Sequence, residues 1–400
     1  MKEVVLPNGL KVIFVPKKTN SVVVQAMIKV GSNDELPSER GISHFLEHIL
    51  FEGTKKRPNS LIISNEVERI GGNFNAYTTN ERTCFYVKVL KKHFDLALDV
   101  LLDILQNSLF DKDHIKREKN IVLKEIEMVN DEPSFYQWVL LQKKIYKKHL
   151  SRFPTYGDPK VVKNLTRQKI IDFYEKYYVA NNMTLLIVGD VKNWKKKVEQ
   201  LFVLKKGKIR KGQKVVEPAQ KRSQVFKEKR DLINNRTIIA FKSVDRKHKD
   251  SFVLDVINSI LGRGQSGRMF SEIRTKRGLA YEVSTQYICD KSYGYFAVYA
   301  SVDKKNTNTV LRVALEEIQK LKKINKIDLS EAINFIEGCY LMEVEDNQKM
   351  ADQLLMWDHI CGTQGFKDYI KNIKKVSISD VRRVISKYFN YHTMVVLEGK

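Results

Sequence analysis

The chain has 400 residues, more than one ordinary hydrophobic core holds, so two domains are expected. Lys and Arg number 71 against 47 Asp and Glu, a formal charge of +24, and no apolar run is long enough to span a membrane. The 4 cysteines are scattered with no C-x-x-C pair, which excludes a disulfide scaffold and fits reduced core thiols in a cytoplasmic protein.

From the N-terminus, Glu3-Val-Val-Leu-Pro-Asn-Gly-Leu-Lys-Val-Ile-Phe-Val-Pro16 reads as a β-hairpin turning at Asn-Gly, with no charged-then-apolar leader. A helix follows in Gly41-Ile-Ser-His-Phe-Leu-Glu-His-Ile-Leu-Phe51. Its Ile42, Phe45, Leu46, Ile49 and Leu50 form an apolar face, and Gly53 and Pro58 lie beyond as a stop. On that helix His44 and His48 project from one face, close enough for both imidazoles to bind a single zinc ion. Glu47 flanks the same face, where a carboxylate can take a proton from zinc-bound water. The segment is H-x-x-E-H, the reverse of the more familiar H-E-x-x-H order. Chance also places two histidines and an acid on surface helices, but polar groups beside an apolar stripe need partners, and a metal supplies one.

Gly71-Gly-Asn-Phe-Asn-Ala-Tyr-Thr-Thr79 follows a helix ending near Ile70. Paired glycines can cap a helix, and the run Asn73, Phe74, Asn75, Ala76, Tyr77 can then form an edge strand that binds an extended peptide through main-chain hydrogen bonds. A strand from Cys84 and a helix over 93–105 come next. Two histidines need a third ligand, and the best candidate lies in a helix over 111–130. Asp111 or Asp113 can cap it, and Ile115, Val122, Ile126 and Val129 give it a core stripe. Glu118 and Glu125 share a face of this helix. Glu125 adjoins the stripe and should point inward, whereas Glu127, about 200° around, should be solvated.

Residues 205–224 are basic, carry Gly and Pro and show no apolar period, so they read as a linker between a domain over 1–204 and another over 225–400. The two halves are alike. Each closes with a helix leading into a short apolar strand, Thr184–Gly189 in the first and Thr393–Gly399 in the second. A duplicated α+β unit fits this order. In the second half, the glycine-rich stretch Leu261–Tyr281 precedes a helix but lacks the Gly-Lys-Ser/Thr ending of a nucleotide-binding loop. The lysines are spread along the chain beside acids, as in Lys116-Arg-Glu-Lys119, so nucleic acid is not an expected partner, and neither is a membrane.

His44-Phe-Leu-Glu-His48 followed, after 49–124, by Glu125 resembles the pitrilysin/insulinase family of zinc metallopeptidases, which includes the mitochondrial processing peptidase. The resemblance extends over essentially the whole chain. It implies an α+β fold of two homologous α/β-sandwich domains in tandem, each a mixed or antiparallel sheet packed with helices. It implies His44, His48 and Glu125 as ligands of one zinc ion per chain, Glu47 as general base, and Glu118 as a glutamate supporting the site from behind the ligands. The strand Asn73 to Tyr77 would bind substrate. Arg274 and Tyr281 stand where the family carries an Arg/Tyr pair that completes the active site from the second domain. Arg263 and Gly267 depart from the residues usual in that loop, glycine and serine, which bears on its conformation. The expected function is that of a zinc endopeptidase cleaving short or unfolded peptides inside a closed chamber made by a homodimer. The alternative is a non-catalytic peptide- or partner-binding subunit of the same fold, which degenerate ligands would have favoured over the intact set present.

Overall fold

The described residues, 1–209 and 215–399 of a computed structural model, build one mixed sheet from each half of the chain. The first half runs β1 (Lys2–Val5), β2 (Lys11–Pro16), β3 (Ser21–Ile28), α1 (Ile42–Ile49), α2 (Ser60–Glu68), β4 (Asn73–Thr78), β5 (Thr83–Leu90) and α3 (Phe94–Gln106). It continues with α4 (Lys112–Asp131), α5 (Pro133–Ile145), α6 (Pro159–Lys163), α7 (Arg167–Tyr177), β6 (Met183–Gly189) and α8 (Trp194–Leu201). The second half runs β7 (Gln224–Lys229), β8 (Asn235–Lys242), α9 (Asp250–Gly262), β9 (Ala280–Cys289), β10 (Gly294–Val302) and α10 (Thr307–Lys320). It closes with α11 (Lys326–Glu343), α12 (Asn347–Cys361), α13 (Gln364–Lys374), α14 (Ile378–Tyr388) and β11 (Thr393–Glu398).

The sheets are ordered β1-β2-β6-β3-β5-β4 and β7-β11-β8-β10-β9. In each, one pair is parallel, β2 with β6 and β7 with β11, and the other pairings are antiparallel. Apart from the added β1 the two sheets match strand for strand. The fold is α+β, with two tandem copies of one design. The inner strands show why: β3 is buried from Val22 to Ile28 and β6 along its whole length, and a strand covered on both faces is a near-continuous apolar run. Gln25 is the polar exception in β3, and its buried amide donates to Asp352 at 2.7 Å.

The chain forms two compact units, neither of them one continuous stretch. The first comprises Met1–Met128, Phe153–Lys214 and Glu343–Met356; the second comprises Val129–Arg152, Val215–Met342 and Trp357–Lys400. Within the first, Asp352 near the start of α12 also accepts from the Tyr77 hydroxyl at 2.8 Å, and Asp346 pairs with Lys88 at 2.6 Å. Within the second, α5 and the residue after it set Leu140, Leu141, Ile145 and Tyr146 in one core with Ile238, Ala240, Tyr295, Ala297, Val395 and Leu397. Burying each such leucine is worth about 1.5–3 kcal/mol, which is reason enough for α5 to remain on that sheet.

Between α8 and β7 the described residues form no helix or strand, and 210–214 of the expected linker lie outside them. The expectation of core thiols needs correcting. All four cysteines are free, but only Cys84 is buried; Cys289 is half-buried, and Cys339 and Cys361 are exposed on α11 and α12. Among the described residues no helix is long and apolar enough to cross a membrane.

Candidate metal centre and active site

Helix α1 begins at Gly41, whose φ of 100° lies in the left-handed region. A Cβ there would sit 2.6 Å from the Tyr156 carbonyl oxygen, so both backbone and packing require glycine. Glu35 supplies the cap: its two carboxyl oxygens accept the N–H groups of Gly41 and Ser43, each at 2.9 Å. Burial pushes the Glu35 carboxyl up to about 8, against those N–H groups and the Arg40 charge, which pull it down. Ile42, Phe45, Leu46 and Ile49 are buried, which turns His44, Glu47 and His48 toward the remaining face. Beyond the helix, buried Arg57 binds Glu66, Asp99 and Asp103 at 2.6–2.8 Å and secures the chain leaving α1.

Helix α4 brings the acids. Asp111 caps it, accepting the N–H groups of Asp113 and His114 at 2.8 and 3.1 Å. Ile115, Val122 and Ile126 are buried while Glu127 is exposed, and Glu125 lies beside this stripe. His44 Nε2 is 3.6 Å from Glu125 Oε1, and His48 Nε2 is 3.5 Å from Glu125 Oε2. One ligand atom from each of the three lies within 4.8 Å of the others. Glu118, buried about two turns before Glu125 on the same face, has Oε2 3.4 Å from Nδ1 of His48. With a metal ion bound, a proton kept on Nδ1 by Glu118 would leave the Nε2 lone pair free to ligate.

This donor set fits zinc. A tetrahedral ion with bonds of about 2.0–2.2 Å separates its ligand atoms by about 3.3–3.6 Å; the two histidine contacts, each to a different Glu125 oxygen, are 3.6 and 3.5 Å, and the set as a whole lies within 4.8 Å, while two imidazoles plus one carboxylate leave a fourth position open. The electrostatics agree for His44, which burial and the neighbouring His48 hold down at about 4, hence neutral. Burial also works against charge on His48, but Glu118 and Glu125 outweigh it and raise the ring to about 9 in the metal-free protein. A cation held by Nε2 would displace that proton. Glu47 is raised by burial, with Thr78 pulling the other way.

Strand β4 is an outer strand, paired with β5 alone among the described residues. Alternation puts Phe74, Ala76 and Thr78 toward α1: the Phe74 ring lies 5.3 Å from that of Phe51, and the Thr78 hydroxyl donates to Glu47 Oε2 at 2.6 Å. Asn73 and Asn75 are exposed, and Tyr77 turns to Asp352. Tyr178 lies near Glu47 as well; burial first, then the Glu47 charge, push its hydroxyl well above the usual range. Sequence reasoning gave no role to Thr78, Glu35 or Tyr178. For Thr78 the two-residue strand period was a usable signal, since it groups Thr78 with Phe74. For the other two, no local pattern exists.

Arg274 and Tyr281 belong to the second unit. Arg274 lies on a π-helical turn, Phe270–Thr275, and Tyr281 near the start of β9, an outer strand of its sheet. The structure brings the two together: the guanidinium carbon sits 5.3 Å from the Tyr281 ring centre and 4.8 Å from that of Phe270. Tyr281 is 77% exposed. A cavity of about 500 Å³ also lies in this unit, lined by Tyr146, His149, Glu217, Lys242 and Tyr293 among others, and none of the expected site residues lines it.

Residues 11–156 match the family described as Insulinase (Peptidase family M16), and residues 164–335 match the Peptidase M16 inactive domain. A protein of Bacillus subtilis named as an uncharacterized zinc protease is 28% identical over 97% of this chain and 96% of its own. One of Rickettsia felis, named in the same way, is 30% identical over 98% of this chain and 96% of its own. Among solved structures, a protease from Helicobacter pylori superposes with a TM-score of 0.92 at 25% identity, covering 99% of both chains. A Pseudomonas fluorescens structure described as a peptidase M16 inactive domain shares the fold, with a TM-score of 0.89 at 20% identity over 100% of this chain and 98% of its own. With both halves matched and a relative of this similarity along nearly its full length, the chain belongs to the insulinase family of peptidases, peptidase family M16.

Proposed function

We propose that this protein is a zinc-dependent endopeptidase acting on short or unfolded peptides. The observation that carries the reading is the convergence of His44, His48 and Glu125 beside the Glu47 carboxylate. His44 Nε2, His48 Nε2 and the Glu125 carboxylate would hold one zinc ion. When bound, zinc supplies Lewis acidity, lowering the pKa of water at the site toward neutrality and polarising a peptide carbonyl. Glu47 then acts through Oε1, because Oε2 is engaged by Thr78. It takes a proton from the attacking water and returns it to the departing amine. Glu118 keeps the His48 ring oriented and its Nδ1 protonated. The free edge of β4, from Asn73 to Tyr77, would receive the substrate main chain, which gives sequence-tolerant binding.

In the second unit we assign substrate contacts to Arg274 and Tyr281. The exposed Tyr281 hydroxyl would donate to the carbonyl oxygen as it gains charge, and the ring-stacked Arg274 guanidinium would hold substrate carbonyls. A single chain with both the histidine–glutamate set and this pair supports work as a homodimer enclosing its peptide. Four free thiols support a reducing, cytoplasmic setting.

The test is hydrolysis of a fluorogenic peptide by the purified chain, with and without a chelator, beside Glu47→Gln. Wild type should cleave only when zinc is present. Glu47→Gln should keep its zinc and lose turnover by about a hundredfold or more. Full activity in that variant would remove Glu47 as the base.

A further inference from the structure

The two hydroxyls at the end of β4 face opposite ways and each is engaged by a carboxylate. Tyr77 donates to Asp352 at 2.8 Å on one side of the strand, and Thr78 donates to Glu47 Oε2 at 2.6 Å on the other. The Thr78 contact is short, as a hydroxyl on a carboxylate should be, and it joins the outer strand to the last turn of α1. Glu47 has few other ties. Its residue lies on the half-buried face of α1, and nearby Tyr178 has a buried hydroxyl with no hydrogen-bond partner among the described residues. A glutamate side chain has three rotatable bonds, and a single well-placed donor can decide among the rotamers they allow.

We propose that Thr78 is a positioning residue for Glu47, fixing Oε2 so that Oε1 alone faces the reacting groups. This rests on the reading of Glu47 as the base. It also ties substrate binding to chemistry. A peptide pairing with β4 orders the backbone at Thr78, and the hydroxyl carries that order to the carboxylate. The strand that receives the substrate is then the strand that sets the base.

The discriminating variants are Thr78→Val, which keeps the shape but loses the donor, and Thr78→Ser, which keeps the donor. Steady-state cleavage of a fluorogenic peptide, zinc content by mass spectrometry and melting temperature are measured for each full-length protein. Thr78→Val should lower kcat by about 10- to 100-fold, the scale expected for a misplaced catalytic group, with KM within about twofold of wild type. Zinc content and melting temperature should be unchanged, and Thr78→Ser should recover most of kcat. An unchanged kcat in Thr78→Val overturns the proposal. So does a Thr78→Ser protein as slow as Thr78→Val, or a rise in KM with kcat intact, which would make Thr78 a binding contact only. A crystal structure of Thr78→Val reads the position of Glu47 without any assay: a displaced carboxylate supports the proposal and one that stays in place overturns it. Wild type that binds zinc yet cleaves none of the peptides sinks the peptidase reading instead, and the crystal structure still decides the role of Thr78.

Discussion

Nδ1 of His48 lies 3.4 Å from Oε2 of Glu118, while Nε2 of the same ring lies 3.5 Å from Oε2 of Glu125. One imidazole thus bridges two acids seven positions apart on α4, and its two nitrogens have different tasks. In the proposed centre the buried acid, 6% exposed in its side chain, would hold the Nδ1 proton, and the other, at 34%, would share the metal with Nε2.

Glu118→Gln tests that division. A glutamine oxygen still accepts from Nδ1, but the negative charge that makes the ring a strong ligand is gone. Zinc affinity, measured by competition with a chromogenic chelator, should fall about 10- to 100-fold. Glu127→Gln, on the exposed side of α4, should not change it.

Glu35 predicts a pH dependence of stability. Its carboxyl is raised by burial to about 8, above the value of about 4.3 of an unfolded chain. The neutral form is favoured by folding, so this contribution is fully present below the unfolded value and is lost as pH rises through about 8. Between pH 7 and 9 the denaturation midpoint of wild type should fall relative to that of Glu35→Gln. Parallel midpoints over that interval would contradict the assignment.

Gly41 and Gly71 make a matched pair of backbone tests. Both have positive φ, 100° and 71°, but a Cβ at Gly71 meets nothing within 4 Å while one at Gly41 meets the Tyr156 carbonyl at 2.6 Å. Gly71→Ala should cost about 1 kcal/mol from the left-handed backbone alone. Gly41→Ala should cost about 2 kcal/mol or more by chemical denaturation and displace the start of α1, lowering zinc occupancy as well.

Tyr281→Phe should leave folding untouched, because the side chain is largely exposed and the ring remains to stack on Arg274. If the hydroxyl serves the developing oxyanion, turnover should drop about tenfold or more at unchanged zinc content. An unchanged rate would remove Tyr281 from the reaction.

Much of the site was legible in the sequence because its signals are local. His44 and His48 share a helix face by spacing alone, and the apolar neighbours of Glu125 point it inward before any tertiary contact is known. Thr78, Glu35 and Tyr178 were not legible in the same way. Each acts on α1 from a separate element, and nothing in a helix sequence announces which hydroxyl or carboxylate will be packed against it.

The same contrast holds for the fold. By itself the sequence determined the two α+β halves, the helix with its histidines, the outer-strand segment and the helix with Glu118 and Glu125, since propensity and periodicity are properties of neighbouring residues. Only the tertiary structure decided that α5 completes the second unit, that residues 343–356 join the first, and that Thr78 reaches Glu47. An amphipathic helix specifies that one face must be covered, but many apolar surfaces satisfy it equally. Which surface covers it is chosen by shape and by partners far away along the chain.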